Sequence, residues 1–258
     1  MKVSEAVSMA EEQTGRSVAI CSLTGSRNYS LSTDGSDHDI KAFVIPSLDD
    51  MYERSEYFKE IKGDGYEIRI HDLRRLPDLL WKSNPTYLEI IFSKEMYILD
   101  PLRDLLYRNR DRIAGMNLPY LYNSSIGLYR HEVKYIEKGT IGTQHLVERY
   151  GYDTKKAMHA YRSLYILQWF MDSGDLEKAI RYDDPVIGKG RREFFLNIKN
   201  GRSALDEVRK ELEQLLNETE ERCRDWYLKA ETDREMEVKI RTEIKKFILD
   251  QPEIRGTV

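Results

Sequence analysis

The segment LTGSRNYSLSTDGSDHDIKAFVI, residues 23–45, is the part of the sequence that decides the predicted fold. Gly25-Ser26 follows an apolar run directly, and two aspartates, Asp37 and Asp39, stand at the start of the next run. Residues two apart in an extended strand lie on the same side, so these carboxylates repel each other. The pairing therefore indicates that a positive group belongs between them.

The first hundred residues alternate helix and strand signals around this segment. A short apolar run before Gly25 has strand length, and the run after Asp37 alternates as a half-buried strand. Asp72 and Asn84 fit the position that caps the start of a helix. The predicted elements are a helix at 2–14, strands at 17–23, 39–45 and 65–70, a helix from Asp72 toward Trp81, and a helix that begins after Pro85.

Beyond residue 100 the apolar spacing changes to the helical period of 3.6 residues. We therefore predict an α+β fold, in which a small mixed β-sheet domain with flanking helices (1–100) precedes an α-helical domain (101–258). Within the second part, the charged run 231–246 predicts a solvated helix, and GKGRR at 188–192 predicts a mobile loop.

Composition restricts the class of protein. The chain has 258 residues, 41 Lys plus Arg and 45 Asp plus Glu, for a net charge of −4. This balance excludes a globally basic nucleic-acid coat but permits a local basic groove. Cys21 and Cys223 follow no disulfide spacing, and neither a signal peptide nor an apolar run of membrane-spanning length is visible. We expect a cytoplasmic protein that does not contact a membrane.

A strand, a tight turn at Gly25-Ser26 and an Asp-x-Asp pair on the next strand can build a site for a divalent metal and phosphate. Backbone N–H groups at the turn bind phosphate oxygens, Gly25 permits close approach and Ser26 adds a hydroxyl. Asp37 and Asp39 supply the hard oxygen ligands that Mg²⁺ prefers. Glu67, on the polar face of the strand at 65–70, is the candidate third carboxylate.

Three motifs in order carry a family resemblance: GSRNYSL with SDHDIKAFVIP, then SNPTYLEIIF, then GYDTKKAMHAYR. They resemble the nucleotidyltransferases of the DNA polymerase beta superfamily, and more narrowly the predicted nucleotidyltransferase group associated with RNA ligases. The resemblance extends from about residue 20 to about 170. It implies transfer of a nucleoside monophosphate from an NTP to a hydroxyl acceptor, with Mg²⁺ or Mn²⁺ as cofactor, pyrophosphate as product and RNA as the favoured acceptor.

The resemblance also implies a role for each matching residue. The metal-binding and catalytic acids are Asp37, Asp39 and Glu67, and the nucleotide-binding residues are Gly25, Ser26, Arg27, Lys155, His159 and Arg162. The last three also fall within one narrow sector of a helix, where like charges repel unless an anion lies before them. A solvated helix face next to Glu148 and Asp153 is the alternative interpretation.

Three positions depart from the family pattern. Ser30 replaces a frequent glycine, His38 replaces an apolar residue and is predicted on the opposite strand face, and Glu67 replaces a more common aspartate. Glu89 is left open between a residue of a structural helix and one that points into the site. The tyrosines of the later helices are interpreted as core residues, not as base-stacking surfaces.

Two other functions remain open from the sequence. The first is a noncatalytic, antitoxin-like partner that keeps the fold and binds nucleotide or RNA without turnover. The second is a metal-dependent phosphohydrolase that uses the same carboxylates on water. A protein or small-molecule acceptor also remains open for the transferase.

Overall fold

The computed structural model describes residues 1–255, and the chain divides into two compact units. Unit 1 contains Met1–Asn117 and the chain from Thr232 onward, and unit 2 contains Leu118–Glu231. The predicted boundary at residue 100 therefore lies inside unit 1, and the end of the chain returns to that unit.

Unit 1 is built on one mixed sheet. Its strands are β1 (Val18–Thr24), β2 (His38–Val44), β3 (Phe58–Gly63), β4 (Tyr66–Asp72) and β5 (Met96–Ile98). The helices of the whole chain are α1 (Val3–Thr14), α2 (Gly25–Asn28), α3 (Leu48–Tyr52), α4 (Leu76–Trp81), α5 (Pro85–Leu88), α6 (Asp100–Leu106), α7 (Arg110–Gly115), α8 (Leu118–Tyr135), α9 (Gln144–Tyr150), α10 (Thr154–Ser173), α11 (Leu176–Ile180), α12 (Gly188–Lys199), α13 (Leu205–Leu228), α14 (Arg234–Leu249) and α15 (Pro252–Arg255). Two 3₁₀ turns, Leu73–Arg75 and Glu89–Phe92, extend α4 and α5.

The sheet order is β3-β4-β2-β1-β5. β2 and β4 run parallel, whereas the pairs β1–β2, β1–β5 and β3–β4 are antiparallel. The three inner strands β4, β2 and β1 thus have a neighbouring strand on both edges, and the loops that precede β2 and β4 end at neighbouring positions. This arrangement confirms the predicted α+β class with a small mixed sheet.

Alternation along the strands gives the sheet two different faces. One face is apolar and packs against α1. Its buried residues are Val18, Cys21, Leu23, Ile40, Ala42, Val44, Ile68 and Ile70. The helix contributes Val3, Ala6, Val7 and Ala10 to the same core. The charged side chains Asp39, Lys41, Glu67 and Arg69 occupy the alternate positions, and we refer to these four as the charged face.

The helix starts in unit 1 follow the predicted capping residues. The Asp72 side chain accepts a hydrogen bond from the Arg74 N–H at 2.8 Å, and the Asn84 side chain accepts one from the Thr86 N–H at 2.9 Å. Pro85 occupies the first helical position, where its missing N–H costs nothing. Both predicted helices are therefore present and begin where the sequence indicates.

The helix α14 is not the solvated helix that the charges of 231–246 predict. Its buried residues recur at helical spacing and pack in unit 1, where α14 contacts α4 and α6. The buried apolar residues are Met236, Ile240, Ile244, Phe247 and Ile248. The prediction failed because many charges on three sides of a helix concealed a narrow apolar stripe.

Unit 2 is helical, and α10 lies at its centre in contact with α8, α11, α12 and α13. Tyr122, Tyr129 and Tyr161 are buried, as predicted for core residues, whereas Tyr120 is exposed. The predicted loop at 188–192 is instead the first turn of α12. A cation–π contact holds this turn, because the Arg191 guanidinium lies 3.7 Å from the centre of the Trp169 ring.

Both cysteines are buried and unpaired, as the sequence predicts. Burial raises the pKa of the Cys21 thiol to about 12, so this cysteine is a packing residue of the core. No helix among residues 1–255 combines the length and apolar character needed to cross a membrane.

Candidate functional site

A polar pocket of about 200 Å³ opens on the charged face of the sheet. It is formed where the Gly25 turn and α5 flank the strands β2 and β4. The lining residues are Thr24, Gly25, Tyr29, Asp39, Ile40, Lys41, Glu67, Arg69, Thr86, Tyr87 and Glu89. Acidic and basic side chains alternate along it, so the pocket suits a polar ligand that carries charge.

Gly25 and Asp39 are in direct contact in this pocket. Gly25 has a φ of +69°, and a Cβ built on it would lie 2.1 Å from Asp39 Oδ2. Only glycine fits, because the left-handed backbone and the close carboxylate both exclude a side chain. Thr24 links β1 to β2 at this point, because its side-chain hydroxyl donates a hydrogen bond to the Asp39 carbonyl at 3.1 Å.

Asp39 and Glu67 are register partners on the parallel strands β2 and β4. Their side chains therefore lie side by side on the same face, as the alternation of the sequence predicts for Glu67. In this structure Glu67 also forms ion pairs, with Arg69 at 2.6 Å and with Lys62 at 3.7 Å. Arg69 in turn pairs with Glu60 at 3.1 Å.

The carboxylates of the pocket provide part of the ligand set that a hard cation needs. Two neighbouring carboxylates in a polar pocket are suitable Mg²⁺ ligands, because this ion prefers oxygen and keeps several waters or substrate oxygens. Among residues 1–255, however, no three His, Cys, Asp or Glu side chains are grouped to hold a metal ion.

Asp37 lies just before β2 and is exposed. Arg27 holds this loop, because its guanidinium donates to the Ser36 carbonyl at 2.6 Å and to the Asp37 carbonyl at 3.3 Å. Ser26 is the second residue of the short helix α2, whose first N–H groups have no partner in the helix. Ser30, which replaces the usual glycine, has a φ of +67°. That backbone region favours glycine and explains the family preference.

Lys41 and Glu89 form a buried ion pair inside the pocket. Lys41 Nζ lies 3.0 Å from Glu89 Oε1 and donates to the Thr86 carbonyl at 2.6 Å. Glu89 is 1% exposed. The question that the sequence left open is therefore answered: Glu89 ends the NPTYLE segment as a pocket residue, not only as part of a structural helix.

Lys155, His159 and Arg162 all lie on α10 in unit 2. Lys155 is exposed, His159 is partly buried and Arg162 is 6% exposed, so the stripe is not a fully solvated face. Burial lowers the pKa of His159 well below its usual value, and the positive charges of Arg162 and Lys155 lower it further. At neutral pH the stripe therefore carries two cations and a neutral imidazole.

Sequence reasoning missed the two basic residues of the pocket, Lys41 and Arg69. Each follows a predicted acid by two positions, Asp39 in one strand and Glu67 in the other, so the strand period of two was a signal for both. Tyr87 was missed because a short helix and a 3₁₀ turn give no periodic pattern.

Comparisons with known proteins bear on the family of the chain. The model of the RNA repair pathway DNA polymerase beta family, RlaP, matches residues 1–247. No match was found among curated proteins. Among solved structures, the chain is similar to a nucleotidyltransferase-like protein from Exiguobacterium sibiricum 255-15, at 12% identity and a TM-score of 0.28. That alignment covers 98% of this chain and 76% of the other.

Proposed function

Since the chain belongs to the RNA repair pathway DNA polymerase beta family, we propose that it is a metal-dependent nucleotidyltransferase that moves a nucleoside monophosphate from an NTP to a hydroxyl of RNA. The observation that carries this proposal is the contact of the Asp39 carboxylate with the Gly25 turn, beside Glu67 on the next strand. The Gly25 turn and two carboxylates line one pocket, and this supports the proposal because nucleotidyl transfer uses a phosphate-binding turn beside metal-binding acids.

In this proposal, Asp37, Asp39 and Glu67 hold Mg²⁺ or Mn²⁺. When bound, such an ion lowers the pKa of the acceptor hydroxyl and offsets the negative charge of the phosphates. Arg69 competes for the Glu67 carboxylate, so exchange of that ion pair is part of metal binding.

The remaining predicted residues bind the nucleotide. Gly25 lets the Asp39 carboxylate approach the turn, and Ser26 offers the phosphates a hydroxyl and an N–H group. Arg27 uses some of its N–H groups to hold the loop at residues 36–37, and its remaining N–H groups bind the triphosphate. Lys155 and Arg162 supply positive charge for the pyrophosphate that leaves, and the neutral His159 contributes a ring nitrogen as a hydrogen-bond partner.

A noncatalytic nucleotide- or RNA-binding protein is the second candidate. The observation that favours it is the absence of a grouped third acid among residues 1–255, together with the pairing of Glu67 to Arg69 and Lys62. This candidate predicts nucleotide binding without transfer.

The deciding experiment follows α-labelled ATP, CTP, GTP and UTP into total cellular RNA and protein with Mg²⁺ or Mn²⁺. We compare the wild type with Asp39→Asn, which keeps the shape of the side chain, and with Asp64→Asn, a control in the exposed β3–β4 turn. We expect label in an RNase-sensitive product, a loss of about 100-fold or more in Asp39→Asn, and wild-type transfer in the control.

The other outcomes separate the alternatives. A protease-sensitive product identifies a protein acceptor, and release of nucleoside monophosphate without a labelled acceptor identifies a phosphohydrolase. Binding of NTP with no transfer supports the noncatalytic partner, and equal transfer by the wild type and Asp39→Asn contradicts the proposed site.

A further inference from the structure

The buried pair Lys41–Glu89 has one hydrogen-bond acceptor that the protein leaves unused. Glu89 Oε1 accepts from Lys41 Nζ at 3.0 Å, whereas the buried Oε2 receives no hydrogen bond from any residue in 1–255. A buried carboxylate oxygen without a donor is unfavourable, and native proteins satisfy nearly all such atoms. Glu89 lines the pocket, so this unused acceptor belongs to a side chain of the pocket wall.

Lys41 offers the complementary group. An ammonium has three N–H donors, and the hydrogen bonds of Lys41 use two of them, to Glu89 Oε1 and to the Thr86 carbonyl. The pair therefore keeps one acceptor and one donor that these hydrogen bonds do not use, and the ammonium also lies 5.4 Å from the centre of the Tyr87 ring.

The chemistry of this pair selects the ligand group. An ammonium on the ligand is repelled by the positive charge of Lys41, and a phosphate or carboxylate is repelled by the negative charge of Glu89. A hydroxyl is neutral, donates to the carboxylate and accepts from the ammonium. A hydroxyl therefore satisfies both partners without repulsion.

We propose that Glu89 and Lys41 together bind a ribose hydroxyl of the substrate, so that the pair selects ribose over deoxyribose. This rests on the proposed nucleotidyltransferase function. The hydroxyl has two possible sources, the ribose of the NTP and the terminal ribose of the RNA acceptor, and binding measurements with each distinguish them.

The test compares affinities for matched ligands. In one arm, calorimetry measures binding of ATP, 2′-deoxyATP and 3′-deoxyATP. In the other, fluorescence anisotropy measures binding of RNA oligonucleotides whose 3′-terminal sugar is ribose, 2′-deoxyribose or 3′-deoxyribose. We expect the wild type to bind the hydroxylated ligand about 10-fold more tightly in one arm, since hydrogen bonds to charged groups are worth about 1.5–3 kcal/mol.

The main variant is Lys41→Met/Glu89→Met, because replacing a buried ion pair with apolar residues of similar size preserves folding better than removing one charge. Glu89→Gln is the second variant, and Glu95→Gln, at an exposed site on the same connection, is the control. The measured quantity is the ratio of the affinity for the hydroxylated ligand to the affinity for its deoxy counterpart. We expect this ratio to fall to about one in the double variant, to decrease in Glu89→Gln and to stay unchanged in the control.

The preference for hydroxylated ligands separates this proposal from a merely structural role, because loss of fold weakens all ligands alike. A wild type without preference in either arm, or a double variant that keeps it, overturns the proposal. If the preference is present but no label is transferred to any acceptor, the hydroxyl site stands and the transferase fails. If label is transferred but neither ligand class shows a preference for the hydroxyl, the transferase stands and the hydroxyl site fails. A protein that binds neither ATP nor the RNA oligonucleotides contradicts both proposals.

Discussion

Gly25 and Gly15 both have left-handed backbones, with φ of +69° and +63°, but only Gly25 has a neighbour where a Cβ would lie. Gly15 ends α1 and has no atom within 4 Å of that position. The two glycines therefore separate the cost of backbone strain from the cost of displacing the Asp39 carboxylate.

We expect Gly15→Ala and Gly25→Ala each to lose about 1–2 kcal/mol of stability from the left-handed backbone. Gly25→Ala alone moves Asp39, so its nucleotidyl transfer falls by about 100-fold while Gly15→Ala stays near the wild type. Urea unfolding and the labelled-transfer assay measure the two effects. Equal activity in both variants would show that the contact between Gly25 and Asp39 has no catalytic importance.

His71 is a second residue whose environment makes a specific prediction. It is 4% exposed and packs among the rings of Phe43, Phe58 and Tyr87. Neither ring nitrogen has a hydrogen-bond partner among residues 1–255. Burial lowers the pKa of His71 to about 4, and the nearby charges of Arg75, Lys41 and Arg69 contribute in the same direction.

This lowered pKa makes stability depend on pH between about 6.5 and 4. In that range the unfolded chain binds a proton that the folded protein does not, so stability falls as the pH falls. The full linkage is about 3 kcal/mol, and partial solvent access reduces the expected share to about 2 kcal/mol.

We therefore expect the wild type to lose about 2 kcal/mol more than His71→Phe between pH 7 and pH 4.5. Urea unfolding at both pH values gives the difference, and acid effects on other groups cancel between the two proteins. Parallel pH dependences would mean that His71 takes up its proton in the folded state as readily as in the unfolded chain.

At the scale of elements, the sequence predicted the three inner strands of the sheet. β1 was predicted from an apolar run of strand length and is buried along its whole length, whereas β2 and β4 show the alternation of period two. β3 and β5 were missed. β3 is an edge strand with exposed charges at Glu60 and Lys62, and β5 has only three residues.

These failures have a common physical cause. A strand at the edge of a sheet is defined by backbone hydrogen bonds to its neighbour, and charges on it protect against aggregation. Its side chains therefore carry little of the alternation that reveals a central strand. The pairing partner, which the local sequence does not specify, decides whether such a segment is extended.

The elements of the pocket show the same limit. The Gly-Ser turn and the Asp-x-Asp pair were visible because a site needs those residue types at that spacing. The position of Glu89 next to Lys41 was not visible, because the two residues are 48 positions apart and meet only through the packing of α5 on the sheet.

At the scale of the whole molecule, the chain leaves unit 1 at Asn117 and returns to it at Thr232. From the sequence, all residues after the sheet were assigned to one helical domain. The helical period indicates that a segment is a helix, but it does not indicate which of two cores that helix packs against. Contacts far apart in sequence fix the return: Arg112 pairs with Asp233 at 2.6 Å, and Arg241 pairs with Asp78 at 2.6 Å.

The helix α14 should therefore behave as part of the folded core of unit 1. Ile240 is buried, and Val238 on the same helix is 60% exposed, so the two form a matched pair of β-branched residues. We expect Ile240→Ala to cost about 2–4 kcal/mol through lost burial and the cavity left behind, and Val238→Ala to cost less than about 0.5 kcal/mol.

Trp81 provides the signal for unit 1. The other tryptophans, Trp169 and Trp226, lie in unit 2 and can be replaced by Phe, and the Arg234 guanidinium of α14 lies 4.2 Å from the centre of the Trp81 ring. Urea unfolding followed by Trp81 fluorescence should show a midpoint about 1 M lower or more for Ile240→Ala, and an unchanged midpoint for Val238→Ala. If the two variants unfold alike, α14 rests on the surface of unit 1 without joining its cooperative unfolding, and the return of the chain at Thr232 contributes nothing to the stability of the sheet that carries the site.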